Sequence, residues 1–355
     1  MLPDSLNQPM IDLRSDTVTT PCDAMREAMA TASVGDDVID VDPTTAKLQE
    51  KIAELTGHKA GMFMPSGSMT NQVAVRLHCG RGDEFICESG CHIYNYEQGG
   101  FAQLSQAIAH CVDGEENILC LDQIRKLIRP NDEHTVQTKL LCLENTHNRG
   151  GGRILPYEGV VEMCDWAHEH GLKTHLDGAR LFNAVVSSGI SAKDWCQHFD
   201  TVSICFSKGL GAPVGSALVG SQEMIEPIRR HRKLFGGGMR QSGIIAAGAL
   251  FALENNIERL AEDHDCAQVI ASAVSSIEGL SLEPEVVDTN IVIFRVDPAI
   301  CSADEFCDRA KEHGAWMLPF SDEHVRAVTH LHITKTDAAT AGQIIAQVVE
   351  ASVPA

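Results

Sequence analysis

The amino-acid sequence predicts an α/β protein, a mostly parallel sheet flanked by helices, with a smaller α+β domain toward the carboxyl end. Three observations carry this. Short runs at EFICES (84–89), KLLCLEN (139–145), LKTHLD (172–177), TVSICFS (201–207) and SALVG (216–220) are apolar on both faces, as strands covered by helices on both sides are. Helical patterns fill the intervals: EGVVEMCDWAHEHG (158–171) carries Val160, Cys164 and Ala167 on one stripe and stops at a glycine just before LKTHLD. After a long helical stretch beginning near Ser242 the texture changes. TNIVIFRV (289–296) and VRAVTHLHIT (325–334) alternate like half-buried strands, separated by a helix with the capping-box signature Ser302…Glu305.

In chain order, the first nine residues read as a tail. Residues 44–57 place Leu48, Ile52 and Leu55 on one helical stripe that ends at Gly57, and a short strand, GMFMP, follows. Ser66-Gly67-Ser68 then opens a helix in which Val73, Ala74, Leu77 and His78 recur at helical spacing. The 355 residues exceed what one core usually serves. We divide them into an N-terminal segment (1–20) contributing to the active site, a large domain (21–258) and a small C-terminal domain (259–355).

Composition excludes several classes. With 49 acidic against 28 basic residues the formal charge is −21, which repels phosphate backbones and anionic lipid, so neither nucleic-acid nor membrane binding is expected. The thirteen cysteines are odd in number, dispersed through apolar runs, and read as free thiols in a reducing cytosol. The start of the chain lacks a signal-peptide pattern, and no apolar run reaches the ~18 residues of a membrane span. We therefore expect a cytoplasmic protein.

Lys208 ends one strand-like run, TVSICFSK, and Asp177 ends another, LKTHLD, 31 positions earlier. Singly, such a lysine usually shields a sheet edge and such an aspartate often caps a helix. As a pair they suit pyridoxal phosphate (PLP), which needs an amine to hold its aldehyde and a carboxylate to keep its ring nitrogen protonated. The glycines at 209, 211 and 215 permit close approach of backbone to a bound ring or phosphate. Ser66, Gly67 and Ser68 offer N–H groups and hydroxyls at a helix start, a ready site for a phosphate dianion. Arg180 and Arg326 carry forks that suit a substrate carboxylate. His330 and His332 share a strand face with Arg326 on this reading, but lack a third ligand; no metal site is expected. There is neither a Walker loop nor a GxGxxG fingerprint, which argues against a NAD-dependent dehydrogenase acting on the same kind of substrate.

With these residues assembled, the sequence resembles the L-threonine aldolases of the fold-type-I, β-eliminating-lyase group of PLP enzymes. IDLRSDTVT, VGDDV, PSGS, LENTHN, LDGARLFNAV, SKGLGAPVGS, GGGMRQSG and VRAVTHLHI match in order and spacing, from Met10 nearly to the end. PSGS replaces the family's frequent PTGT and keeps the hydroxyl, while residues 149–153 form an insertion after LENTHN. The resemblance implies a fold-type-I transferase-like architecture with a seven-stranded sheet. It implies Lys208 as the covalent anchor of PLP, Asp177 at the ring nitrogen, and Gly67 with Ser68 at the phosphate. It likewise implies Ser15, Arg180 and Arg326 as the substrate-carboxylate grip, His92 stacked on the ring, and His134 near the substrate hydroxyl. His92, or a water held by His134, is then the candidate base. Arg240, with Lys233, would reach a neighbouring subunit's cofactor phosphate, making the enzyme a homo-oligomer, a dimer of dimers. The implied reaction is cleavage of L-threonine or L-allo-threonine to glycine and acetaldehyde; β-elimination or serine hydroxymethyl transfer is the alternative within the same cofactor class.

Overall fold

The computed structural model describes residues 10–351; the N-terminal tail read from the sequence lies outside them. Its strands are β1 (Ile11–Asp12), β2 (Ala60–Met64), β3 (Glu84–Glu88), β4 (Ile108–Val112), β5 (Thr138–Glu144), β6 (Lys173–Gly178), β7 (Thr201–Cys205), β8 (Ser216–Gly220), β9 (Leu280–Leu282), β10 (Ile291–Val296), β11 (Ala315–Trp316), β12 (Leu318–Pro319) and β13 (His324–Val328). Two compact units result, one from Thr20 to Ile257, the other assembled from residues up to Thr19 and from Glu258 onward.

The larger unit holds a seven-stranded sheet in the order β2-β8-β7-β6-β5-β3-β4. From β7 through β4 every neighbour is parallel, whereas β8 runs antiparallel to both β7 and β2. Two reversals restore the direction of β2, so its carboxyl end lies at the same edge of the sheet as those of β3, β5, β6 and β7. The central strands are buried along nearly their whole length, Phe85, Ile86, Leu140, Leu141, Val202 and Ile204 being fully covered. That is why they read as continuous apolar runs. Among the helices, α1 (Asp23–Ala30) is followed by α2 (Pro43–Thr56), which presents Leu48 and Ile52, both fully buried, and starts under an Asp42 cap. Each such side chain contributes roughly 1.5–3 kcal/mol by leaving water. The helix stops at Gly57, whose φ of 72° is left-handed backbone that a side chain would strain.

In the second unit, β12, β13, β10 and β9 form an antiparallel sheet, and β1 pairs in parallel with β11. Leu13, Phe294, Phe306, Ile345 and Val325 fill its core, with Phe294 and Phe306 packed edge to face at 5.6 Å. One sequence expectation is corrected here. The alternating stretch 325–334 is not one strand: β13 ends at Val328, the chain turns through His330, and Thr334 caps the helix Lys335–Glu350 by accepting from the Asp337 N–H. His330 and His332 therefore lie beyond the strand that carries Arg326 and share no strand face with it; His330 is buried and bonds the Asp12 carbonyl at 2.8 Å.

Candidate active site

A parallel sheet sends every chain crossover out over its carboxyl edge, and this edge collects the chemistry. β5 and β6 end in register at Glu144 and Asp177, while β7 delivers Cys205, Ser207 and Lys208 beside them. Beyond β2, the Ser66 hydroxyl accepts from the Met69 N–H and starts α3 (Gly67–His78). Beyond β3, the chain turns into the short helix α4 (His92–Asn95). These loops enclose a pocket of about 190 Å³ lined by Ser66, Gly67, Ser68, Asn71, His92, Glu144, Thr146, Asn148, Asp177, Arg180, Ser207 and Lys208, among others. Lys208 is presented on a tight turn, its carbonyl accepting from Gly211 N–H at 2.8 Å, where Gly211 has φ 80°.

Seven of the residues singled out from the sequence therefore meet in this pocket: Lys208, Asp177, Arg180, Ser66, Gly67, Ser68 and His92. Arg180 sits at the start of the helix Leu181–Ser188 but is buried, not the exposed arginine usual there, and donates to Asn148 Oδ1 at 3.3 Å. Ser15 and Arg326 belong to the other unit. There Ser15 caps a short turn, its hydroxyl accepting from Thr17 N–H, and Arg326 donates to the Arg14 carbonyl.

One expectation lands elsewhere. His134 does not line the pocket of its own chain: it lies in an exposed turn held by Asp132, just before β5, with 82% of its side chain open. From Thr138 to Glu144 the strand rises about 20 Å, which separates this turn from the carboxyl edge. Arg240, expected at a neighbouring subunit's phosphate, lies outside the pocket of its own chain, exposed and paired with Asp36 at 3.1 Å. Lys233 borders a second, wider cavity, about 480 Å³, with Arg229, Arg232 and Leu234.

Behind the pocket floor runs a buried network that the sequence did not reveal. Asn71 Nδ2 donates to Asp177 Oδ2 and to Glu97 Oε1, both at 2.8 Å, and its Oδ1 accepts from His175 Nε2 at 3.1 Å. Glu97 also accepts from Gln72 and stands 2.9 Å from His92 Nδ1. A carboxylate facing Nδ1 means that this nitrogen carries the proton and Nε2 is the one left to exchange. Burial drives His175 down to about 4, so it stays neutral and donates through Nε2. For Asp177 burial works upward, but His92, Lys208 and the Asn71 amide outweigh it and hold the carboxyl below its ordinary range. Burial would lower His92, yet the Glu97 bond and the charges of Asp177, Glu97 and Glu144 raise it. Glu97 itself is raised, chiefly by burial, against its bonds to His92 and Gln72.

Ligand atoms of His92, Glu97 and Asp177 lie within 4.8 Å of one another, a spacing that could suit a cation. These three groups are, however, already joined by hydrogen bonds, Asn71 donating to both carboxylates and Glu97 standing 2.9 Å from His92 Nδ1. The donor set fits PLP instead. It supplies an ionised acid for a ring nitrogen, an amine, a twelve-residue helix whose first turn borders the pocket, and a buried Thr146 hydroxyl that has no hydrogen-bond partner among the described residues.

Comparison with known proteins agrees. Residues 12–298 match the family described as β-eliminating lyase. The chain is 45% identical over 327 residues to the low specificity L-threonine aldolase of Escherichia coli K12, covering 92% of this chain and 95% of that one. It is 41% identical over 332 residues to low-specificity L-threonine aldolase 1 of Arabidopsis thaliana, covering 92% and 93%. The solved threonine aldolase of Leishmania major superposes with a TM-score of 0.83 at 19% identity, covering 96% and 99% of the two chains.

Proposed function

The chain belongs to the β-eliminating lyase family, and from that premise we propose that it cleaves L-threonine and L-allo-threonine to glycine and acetaldehyde, with PLP as its cofactor. The observation that carries the reading is the meeting of Lys208, Asp177 and the α3 N-terminus in one pocket at the carboxyl edge of the sheet. We assign Lys208 to hold the cofactor covalently, Asp177 to hold its ring nitrogen, and Gly67 and Ser68 to bind its phosphate. When bound, PLP supplies an electron sink for the pair released as the Cα–Cβ bond breaks.

The remaining work falls to side chains. Arg180, steadied by Asn148, grips the substrate carboxylate. Fixing the carboxylate fixes rotation about the substrate's N–Cα bond, which selects the bond that breaks. His92 takes the β-hydroxyl proton at Nε2, since Glu97 occupies its Nδ1. Glu144 accepts the His92 backbone N–H at 2.6 Å and so fixes the start of α4. His134 has no role in its own chain's pocket on this reading.

We further infer a homo-oligomer in which Arg240 and Lys233, both outside their own pocket, serve a neighbouring subunit's phosphate. A dimer of dimers accommodates this. A reducing, cytoplasmic location suits the thirteen free cysteines; among the described residues no helix is long and apolar enough to cross a membrane. The test is to supply L-threonine and L-allo-threonine separately to PLP-loaded protein and measure acetaldehyde and glycine. Equal amounts of the two support the proposal; ammonia and a 2-oxo acid in their place reject it.

A further inference from the structure

β3 and β4 pair in parallel at the end of the sheet, with Cys87 opposite Cys111 in register. Their sulfurs stand 3.9 Å apart. Cys87 is fully buried, whereas Cys111, on the edge strand, is partly exposed. Paired residues in neighbouring strands have backbones about 4.8 Å apart, inside the ~4.4–6.8 Å Cα window of a disulfide, so a bond asks for side-chain rotation and not for backbone movement.

We propose that Cys87 and Cys111 form a peroxide-responsive dithiol, with Cys111 the thiol attacked first and Cys87 the one that resolves it. The environment distinguishes the roles. The Cys87 thiol and the Tyr94 hydroxyl both hydrogen-bond the Cys111 sulfur and favour its thiolate, overriding burial and the opposing carboxylates of Glu88 and Asp113. The same bond to Cys111, together with one to Cys91 and with burial, keeps the Cys87 thiol protonated. Peroxide transfers one oxygen to the Cys111 thiolate: the O–O bond breaks, an S–O bond forms, and the departing hydroxide leaves as water. Cys87 sulfur then displaces that oxygen, forming S–S, breaking S–O and releasing a second water with the Cys87 proton. The balance is two thiols and one peroxide giving one disulfide and two waters, and a dithiol reductant reverses it. Cys91, the other partner of Cys87, directly precedes His92, so closure withdraws a hydrogen bond one residue from the pocket.

The test uses PLP-loaded protein in which the two exposed thiols are removed as C22S/C120S. After graded hydrogen peroxide and alkylation in denaturant, the titratable thiols should fall by two and recover with dithiothreitol. Cleavage after Glu88 separates Cys87 from Cys91, so peptide masses identify the partners directly. A Cys87–Cys111 link that disappears in C111S and in C111A upholds the proposal. Overturning results are a link from Cys87 to Cys91 in the parent, or Cys111 accumulating as sulfinic acid while Cys87 stays alkylatable.

Discussion

Replacing Asn71 with leucine tests the buried network most sharply, because leucine keeps the volume and removes every polar contact. Asn71 is 1% exposed and satisfies three partners: the carboxylates of Asp177 and Glu97, and the His175 Nε2–H. A hydrogen bond to a charged group contributes about 1.5–3 kcal/mol, so two lost carboxylate bonds amount to about 3–6 kcal/mol, with about 1–3 more for the orphaned imidazole donor. Proton uptake by one carboxylate relieves part of this, and we expect a net loss of about 3–5 kcal/mol in cofactor-free protein at neutral pH. For a unit of this size each kcal/mol lowers Tm by about 2–4 °C, giving roughly 6–20 °C by calorimetry. The pH dependence has a definite sign. The folded-state pKa of Asp177 is depressed in the native network, so its contribution is present above the ordinary carboxylate range and is lost as pH falls through that lowered value. The gap between native and N71L proteins should therefore narrow on acidification. A Tm within 2 °C of native at pH 7, or a gap that widens in acid, would refute the assignment of Asn71 as the shared donor.

Other outcomes follow from the same geometry. Glu97→Gln keeps an acceptor for His92 Nδ1 but removes the charge that raises it, so the acid limb of kcat/KM should move to lower pH, and the His92 ring resonances in cofactor-free protein should titrate lower too. Arg180→Gln should raise KM for L-threonine by about 10- to 150-fold, the equivalent of one charged hydrogen bond; steady-state kinetics at saturating PLP measures this. Lys208→Ala should leave turnover below detection and let the cofactor absorbance dialyse away.

The sheet was legible where burial is two-sided. β3, β5, β7 and β8 read as mainly apolar runs because they are buried on both faces, and β6 was found from its place between a helix-stopping glycine and Asp177. The edge strand β4 was not legible: Ile108 is 42% exposed and its neighbours are half-buried, so IAHCV lacks both the continuous run and the clean alternation. In residues 325–334 the opposite happened, since alternation continued through a turn whose histidine is buried and bonds a backbone carbonyl. Lys208, Asp177 and the helix start at Gly67, which meet in one pocket, were readable as candidates because each stands at the end of an apolar element. Asn71 and Glu97 sit inside ordinary helical and loop text, and their partners come from 26 and 106 positions away. Only folding brings those groups together. His134 shows the converse, a residue assigned through the resemblance that its own chain leaves in an exposed turn before β5.

The account depends on Lys208 being the amine that holds PLP. The most direct measurement is borohydride reduction of the PLP-loaded protein, followed by digestion and peptide mass mapping. We expect a single phosphopyridoxyl group, on the peptide containing Lys208, and its loss in Lys208→Ala. The group on a different lysine, or on none, would contradict the account.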